Sequence, residues 1–276
     1  MKLRKLWESN LSLILLLWVI VAVFIRPGWI YFGTGFLAWV ALVYLTAPGV
    51  FWHYAAIFIS NPVSAEHLLE KAVSFQPLVA YPYLSLGLNY ARRQKWPEAI
   101  TLLEMAVEYA SQRKKSQNLI WLAEAYRANG CHEKALPILE GLLKKDPRSM
   151  KVTINLALIH LQLNRFPEAL DYAKKARTIN LSATEPVLIQ AKILFAMGEY
   201  QQAKNDYQWV IEHLKWPVES IYWLGRAELE LGETDAAIAH LQTAVERITE
   251  DPLLADVSKE EAEEWLKRAR DNQNQK

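Results

Sequence analysis

A spacing of 34 residues runs through the chain from about residue 80, and it limits the possible folds more than any local pattern does. Leu86-Gly87, Leu122-Ala123, Leu156-Ala157, Gln190-Ala191 and Leu224-Gly225 follow one another at steps of 36, 34, 34 and 34. In register with them stand Ala99, Ala135, Ala169, Ala203 and Ala237, and then Ala106, Leu142, Ala176, Val210 and Ala244. Gly130, Gly198 and Gly232 share one phase with Gln94 and Asn164, where a left-handed residue can end a helix. Pro97 and Pro167 come three residues later, where a missing amide hydrogen costs nothing in a first helical turn. Each unit reads as helix, tight turn, helix, with small residues where the two helices cross.

The pattern resembles the tetratricopeptide repeat family, W-x2-L-G-x2-Y, then A-x3-F, then P. The first clear unit supplies Tyr83, Leu86, Gly87, Tyr90, Ala99, Leu103 and Ala106. The second supplies Leu119, Leu122, Ala123, Tyr126, Ala135, Leu139 and Pro147. Later units depart at His160, Ala173, Gln190 and Glu228. Five units are expected at 80–113, 116–149, 150–183, 184–217 and 218–251. The phase also runs backwards through Ala65, Leu69 and Ala72 to Pro77, which makes 48–79 a degenerate first unit. Ser258-Lys259-Glu260-Glu261 opens a charged capping helix over 257–270 by a capping box, ahead of a frayed tail.

The N-terminus has a different composition. Residues 1–65 carry five charges, Lys2, Arg4, Lys5, Glu8 and Arg26, against 56 in the remainder. Two uncharged stretches, 7–26 apart from Glu8 and Arg26, and 29–46, flank Arg26-Pro27-Gly28. A helix of 18 residues reaches ~27 Å against a hydrocarbon core of ~30 Å. The expectation is therefore an all-α chain with a transmembrane helical hairpin followed by a right-handed superhelix of helix-turn-helix repeats. Lys2, Arg4 and Lys5 ahead of the first span place both chain ends in the cytoplasm, and so predict a multi-pass inner-membrane protein. Gly33, Gly35, Ala38 and Ala41 allow close packing within the hairpin, or homo-oligomer contact through it. The apolar piece Val50 to Ile59 is too short to span, and reads either as an interfacial helix or as the buried opening helix of the repeats. Arg113-Lys114-Lys115 falls in an inserted loop where it could touch anionic headgroups, and reads chiefly as a solvated turn.

The chemistry of catalysis is missing from these residues. The six histidines have no metal-ligand spacing, and His160 sits at a repeat core position. Cys131 is the single cysteine, which excludes an intramolecular disulfide and a Cys-rich zinc site. Phosphate-loop, G-x-S-x-G, H-E-x-x-H and Rossmann patterns are absent, so no enzyme, metal or cofactor is expected. A formal net charge of +1 argues against a general nucleic-acid binder.

The resemblance implies instead a curved surface whose first helices hold an extended or helical peptide. The matching positions are Leu84, Leu88 and Arg92, then Ile120, Trp121, Glu124 and Arg127. They continue with Ile154, Asn155 and Leu158, with Leu188, Lys192 and Phe195, and with Tyr222, Trp223 and Arg226. Leu84, Ile120, Ile154, Leu188 and Tyr222 form an apolar column that either anchors a partner or packs on the next repeat. Lys151, Lys192 and Arg226 alternate with Glu124, Glu185 and Glu219 and would set a partner's register. Leu84 and Leu88 stand where chaperone-tail adapters of the family carry a Lys-and-Asn clamp, which argues against that role. The expected function is a bacterial membrane-anchored scaffold for a protein or peptide partner, within an envelope-assembly or secretion complex. Lipid bilayer would be its second partner. An alternative places the repeats on the exported side, as in assembly factors of cytochrome c maturation, although those carry a long loop between spans. An enzyme with intramembrane chemistry would need polar groups at depth, and the hairpin offers only Ser12 and Thr34.

Overall fold

A computed structural model of the chain describes residues 40–59, 62–251 and 257–274, apart from the side chains of residues 62 and 63. Residues 40–46 are helical. They are followed by α1 (Pro48–Ile57), α2 (Pro62–Ser74), α3 (Ala80–Arg92), α4 (Trp96–Glu108), α5 (Gln112–Ala128) and α6 (His132–Lys145). Then come α7 (Met150–Gln162), α8 (Phe166–Ile179), α9 (Thr184–Ala196), α10 (Tyr200–His213), α11 (Val218–Glu230), α12 (Thr234–Glu250) and α13 (Lys259–Asn274). Packing divides the chain into two compact units, residues 1–138 and 139–276.

The turns explain why helices end where they do. Gln94, Gly130, Asn164, Gly198 and Gly232 all have φ between 56° and 81°. After each of them, the next amide donates back to a carbonyl of the preceding helix: Lys95 to Tyr90, Cys131 to Tyr126, Arg165 to His160, Glu199 to Leu194 and Glu233 to Glu228, all at 2.8–3.0 Å. The left-handed residue itself donates to the carbonyl three before it, as Gly198 does to Phe195 at 3.0 Å. Both bonds of a Schellman motif are thus made at every one of these turns, and they satisfy carbonyls the helix leaves open.

In the first unit α1 packs on α2, α2 on α3, α3 on α4 and α4 on α5. Ala56, Leu69 and Leu86 form one buried cluster, with Tyr90 and Leu102 against it. Helices α3 and α4 approach closely because Gly87 has no side chain: a Cβ there would lie 3.1 Å from Leu103 and 3.3 Å from Leu102. Tyr90 donates to Glu70 at 2.8 Å, and Tyr126 donates to Glu104, so each tyrosine ties its helix to the second helix of the pair before it. Burial pushes both phenols up to about 12, with the acceptor carboxylates adding to the rise.

In the second unit the same ladder runs from α7 to α13, each helix packing on the next. Ala169, Ala173 and Ala176 pack with Ile154, Ala157, Ile189 and Ile193. Val218, Tyr222, Leu241, Ala244 and Ile248 are closed over by Val257, Ala262, Leu266 and Ala269. Gly225 repeats the close approach, its Cβ position lying 2.8 Å from Leu241. Ser258 Oγ accepts from the Glu261 amide at 3.1 Å, which caps α13. That helix continues past Arg270 to Asn274, because Gln273 donates to Asp235 at 2.8 Å and holds the last turn down.

Two expectations change. The basic run 113–115 lies in the first turn of α5, not in a loop. The two-residue insertion is absorbed as helix, giving α5 17 residues against 13 in α3, α7, α9 and α11. The multi-pass inner-membrane placement is also corrected: among the described residues no helix is long and apolar enough to cross a membrane. The hairpin expected over 7–26 and 29–46 lies outside the described residues except for 40–46, and α1, with 10 residues, covers only ~15 Å. Helix α1 buries Gly49, Val50, His53 and Ala56, while Ile57 and Phe58 are 62 % and 85 % exposed. His53 is lowered to about 4 by burial, so it packs as a neutral ring.

Candidate functional site

The first helix of each pair carries the residues in question, and its buried face decides which of them remain open. In the first unit Leu88, Arg92, Trp121 and Glu124 come together in one cleft of about 320 Å³. Its remaining walls are Ala91, Leu103, Ala125 and Trp96. Arg92 is exposed, whereas Leu88, Trp121 and Glu124 are half-buried. Leu84 and Arg127 are half-buried and do not line this cleft, and Ile120 is a core residue.

In the second unit the open positions form an aromatic and cationic wall. The Arg226 guanidinium lies 3.9 Å from the Trp265 ring centre, 4.6 Å from Trp223 and 5.1 Å from Phe195. Phe195 meets Trp223 edge-on at 5.2 Å, and Tyr200 at 5.2 Å. Contacts of this kind are worth ~0.5–2 kcal/mol each where water is excluded. Lys192 pairs with Glu219, so two of the charges expected to read a partner are engaged with one another.

The apolar column divides by burial. Ile120, Ile154 and Tyr222 are in the core, while Leu84 and Leu188 are half-buried. Tyr222 donates to Glu261 at 2.8 Å, and burial raises its pKa. Asn155 is buried and donates to the Lys151 carbonyl at 3.0 Å, and Leu158 packs against the α7–α8 core. Leu188 packs beside Ala191, Tyr207 and Leu224. Trp96, Tyr200 and Trp265 were not among the residues singled out by the sequence. Trp96 and Tyr200 share one phase with His132 and Phe166 at the first residue of a second helix, and that aromatic column was the signal available for them.

A buried ionic cluster lies outside this wall. Glu228, 2 % exposed, accepts from His240 Nδ1 at 2.7 Å, and Lys204 lies 4.0 Å away while pairing with Glu233. The Glu228 hydrogen bond raises the His240 pKa, opposed by burial. Among the described residues no group of three or more His, Cys, Asp or Glu side chains could hold a metal ion.

Comparison with known proteins agrees with the helix-pair fold. Residues 92–176 match the family described as anaphase-promoting complex, cyclosome, subunit 3. Residues 190–252 match the tetratricopeptide repeat family. The BBSome complex member BBS4 homolog of Drosophila melanogaster is 30% identical over 113 residues, which are 41% of this chain and 21% of that protein. The chain thus matches about a fifth of the length of that relative. Among solved structures, the fold is similar to TTC0263, a tetratricopeptide repeat protein of Thermus thermophilus (TM-score 0.58, 22% identity, 64% of this chain and 95% of that one). It is also similar to yeast Tom70 (TM-score 0.60, 16% identity, 84% and 48%) and to the Cut9-Hcn1 tetramer of the anaphase-promoting complex (TM-score 0.63, 13% identity, 83% and 44%). Repeat phase, Schellman turns, helix pairing and these matches agree on an all-α helical solenoid of tetratricopeptide type, and the tetratricopeptide repeat family itself is matched over residues 190–252.

Proposed function

We propose that this chain is a protein-interaction scaffold that holds an extended or helical segment of a partner protein along the first helices of its repeats. The observation that carries the reading is the first-unit cleft. Leu88 and Arg92 of α3 join Trp121 and Glu124 of α5 around one concave space, with an indole wall and a charge of each sign. A mostly apolar cleft with a few placed polar groups is the usual form of a recognition site, and tryptophan and arginine dominate binding energy at such sites. In the second unit, Trp223 and Arg226 supply a comparable wall. The anaphase-promoting complex subunit and the BBSome member are, by name, parts of multisubunit assemblies, which supports a place for this chain within a complex.

Selection of a displayed peptide library on the immobilised full chain tests this. Affinities of the selected peptides are then compared by fluorescence anisotropy for the wild type and Trp121→Ala. Loss of a central tryptophan contact should weaken binding about tenfold or more, or ~1.4 kcal/mol, while circular dichroism stays unchanged. Peptides that bind both proteins equally would place recognition elsewhere.

A further inference from the structure

The second helices of the repeats have a cleft of their own. Leu143 of α6 and Lys175, Thr178 and Ile179 of α8 enclose about 390 Å³, together with Pro147 and Arg148 of the loop that leads into α7. The threonines on this lining offer a ligand no free O–H. Thr178 donates to the Lys175 carbonyl at 2.7 Å, and Thr153 at the start of α7 donates to the Ser149 carbonyl at 2.9 Å. One repeat on, the same corner is filled. Leu143 and Arg177 each stand two residues before the end of a second helix, Lys175 and Trp209 stand four residues before it, and Ile179 and His213 end it. These are equivalent positions 34 residues apart. Between α8 and α10 the Trp209 indole stacks on His213 at 4.1 Å, and the Arg177 guanidinium lies 5.8 Å from its ring centre. Between α6 and α8 the chain supplies no ring at these places, and Leu143, Lys175 and Ile179 border the cleft instead.

We infer that the α6–α8 cleft receives one aromatic side chain, an indole or a phenyl, from an acidic segment of a partner protein. The ring takes the place that Trp209 fills one repeat on, between Leu143, Ile179 and the aliphatic stem of Lys175. The sign of the partner's charge follows from the surroundings. Residues 143–179 carry eight Lys and Arg side chains against three Asp and Glu, in a chain whose net charge is only +1. Lys175 pairs with Asp171 at 2.6 Å, but both are exposed and such a pair is weak. Arg148, exposed on the cleft rim, is therefore the cation that chiefly meets a carboxylate beside the ring. Its backbone amide donates to Asp146 Oδ1 at 3.1 Å, which holds the loop that carries the guanidinium. This surface lies on the second helices, apart from the first-helix cleft, and serves a contact additional to the one proposed there.

The probes are N-acetylated, amidated dipeptides, Glu-Trp and Trp-Glu, with Lys-Trp and Glu-Ala as controls. Binding to the full chain is followed through the Ile179 methyl resonances, assigned by Ile179→Val replacement. At least one acidic tryptophan dipeptide should shift them in the millimolar range, through the ring current of an indole in the cleft. Glu-Ala should leave them in place, and Lys-Trp should bind at least about threefold more weakly. Lys175→Trp should install the α8–α10 arrangement and abolish the shifts without lowering the Tm. Arg148→Glu, an exposed change that leaves the cleft open, should turn the preference to Lys-Trp. Equal binding of Glu-Trp and Lys-Trp, or a preference unaltered by Arg148→Glu, overturns the inference, as does an absence of any shift at the solubility limit. A Tm lowered by Lys175→Trp, or Glu-Trp binding that survives it, means that the corner takes no ring and overturns it too. Shifts from Glu-Ala as large as those from Glu-Trp would make this a charged surface without an aromatic site, with the same consequence.

Discussion

Glu228 occupies a phase in which the other repeats carry Tyr90, Tyr126, His160 and Leu194. A buried carboxylate is costly unless paired, and here His240 and Lys204 supply the positive charge. Because the His240 pKa is raised in the folded chain, the pair's contribution is complete below the ordinary histidine value of 6.5 and is lost as pH rises through the folded value. The Tm of the second unit should therefore fall as pH rises above the ordinary histidine value of 6.5, and Glu228→Gln should flatten that dependence. Equal slopes in a pair of thermal melts would show that the cluster is not coupled to folding. Backbone conformation gives a second test at this scale. Gln94 holds φ 58° where three other repeats use glycine. Gln94→Gly should raise stability by about 0.5–1 kcal/mol in denaturant melts, since the left-handed region strains a side chain.

At the scale of the helix pair, the crossing is set by an absent side chain. Gly87 leaves room for Leu102 and Leu103, and Gly225 does the same for Leu241 and the Ala237 carbonyl. Gly87→Leu must drive α3 and α4 apart and should cost about 1–3 kcal/mol or more through overpacking. A chemical denaturation midpoint unchanged from the wild type would contradict this crossing. The small-residue columns made this geometry legible in the sequence, because the demand for a small residue recurs at a fixed interval. The ends of α5 and α13 were less legible. At the end of α13, helix length depends on the hydrogen bond from Gln273 to Asp235, whose partners are far apart in sequence.

For the molecule as a whole, a stack of repeats leaves an apolar face bare at its end unless something covers it. In the second unit α13 does so, laying Ala262, Leu266 and Ala269 over Leu241, Ala244 and Ile248. Truncation after Asp251 removes that cover together with the Glu261 partner of Tyr222. The expected loss is upward of about 3 kcal/mol, from the burial of Leu266 and its neighbours alone. Hydrogen exchange should show α12 losing its protection first. Persistence of wild-type protection in α12 would mean that the cap contributes little.

Periodicity is enough to establish that the chain is a stack of helix pairs, where each turn falls, and which residues are small at each crossing. A period can be read without knowing what lies across the interface. The long uncharged N-terminal run suggested a membrane hairpin, whereas the helices among the described residues are too short or too polar to span one. Which concave positions remain open is a matter of packing across helices. Ile120, Ile154 and Tyr222 look equivalent to Leu84 and Leu188 in the sequence, yet neighbouring side chains close over the first three and leave the other two half-exposed. The cleft beside Trp121 depends in the same way on Ala91, one helix away, being small, while Phe195 fills the same corner of the second unit. Space between helices is set by the volumes of several side chains at once, and these come from segments that no single stretch of sequence brings together.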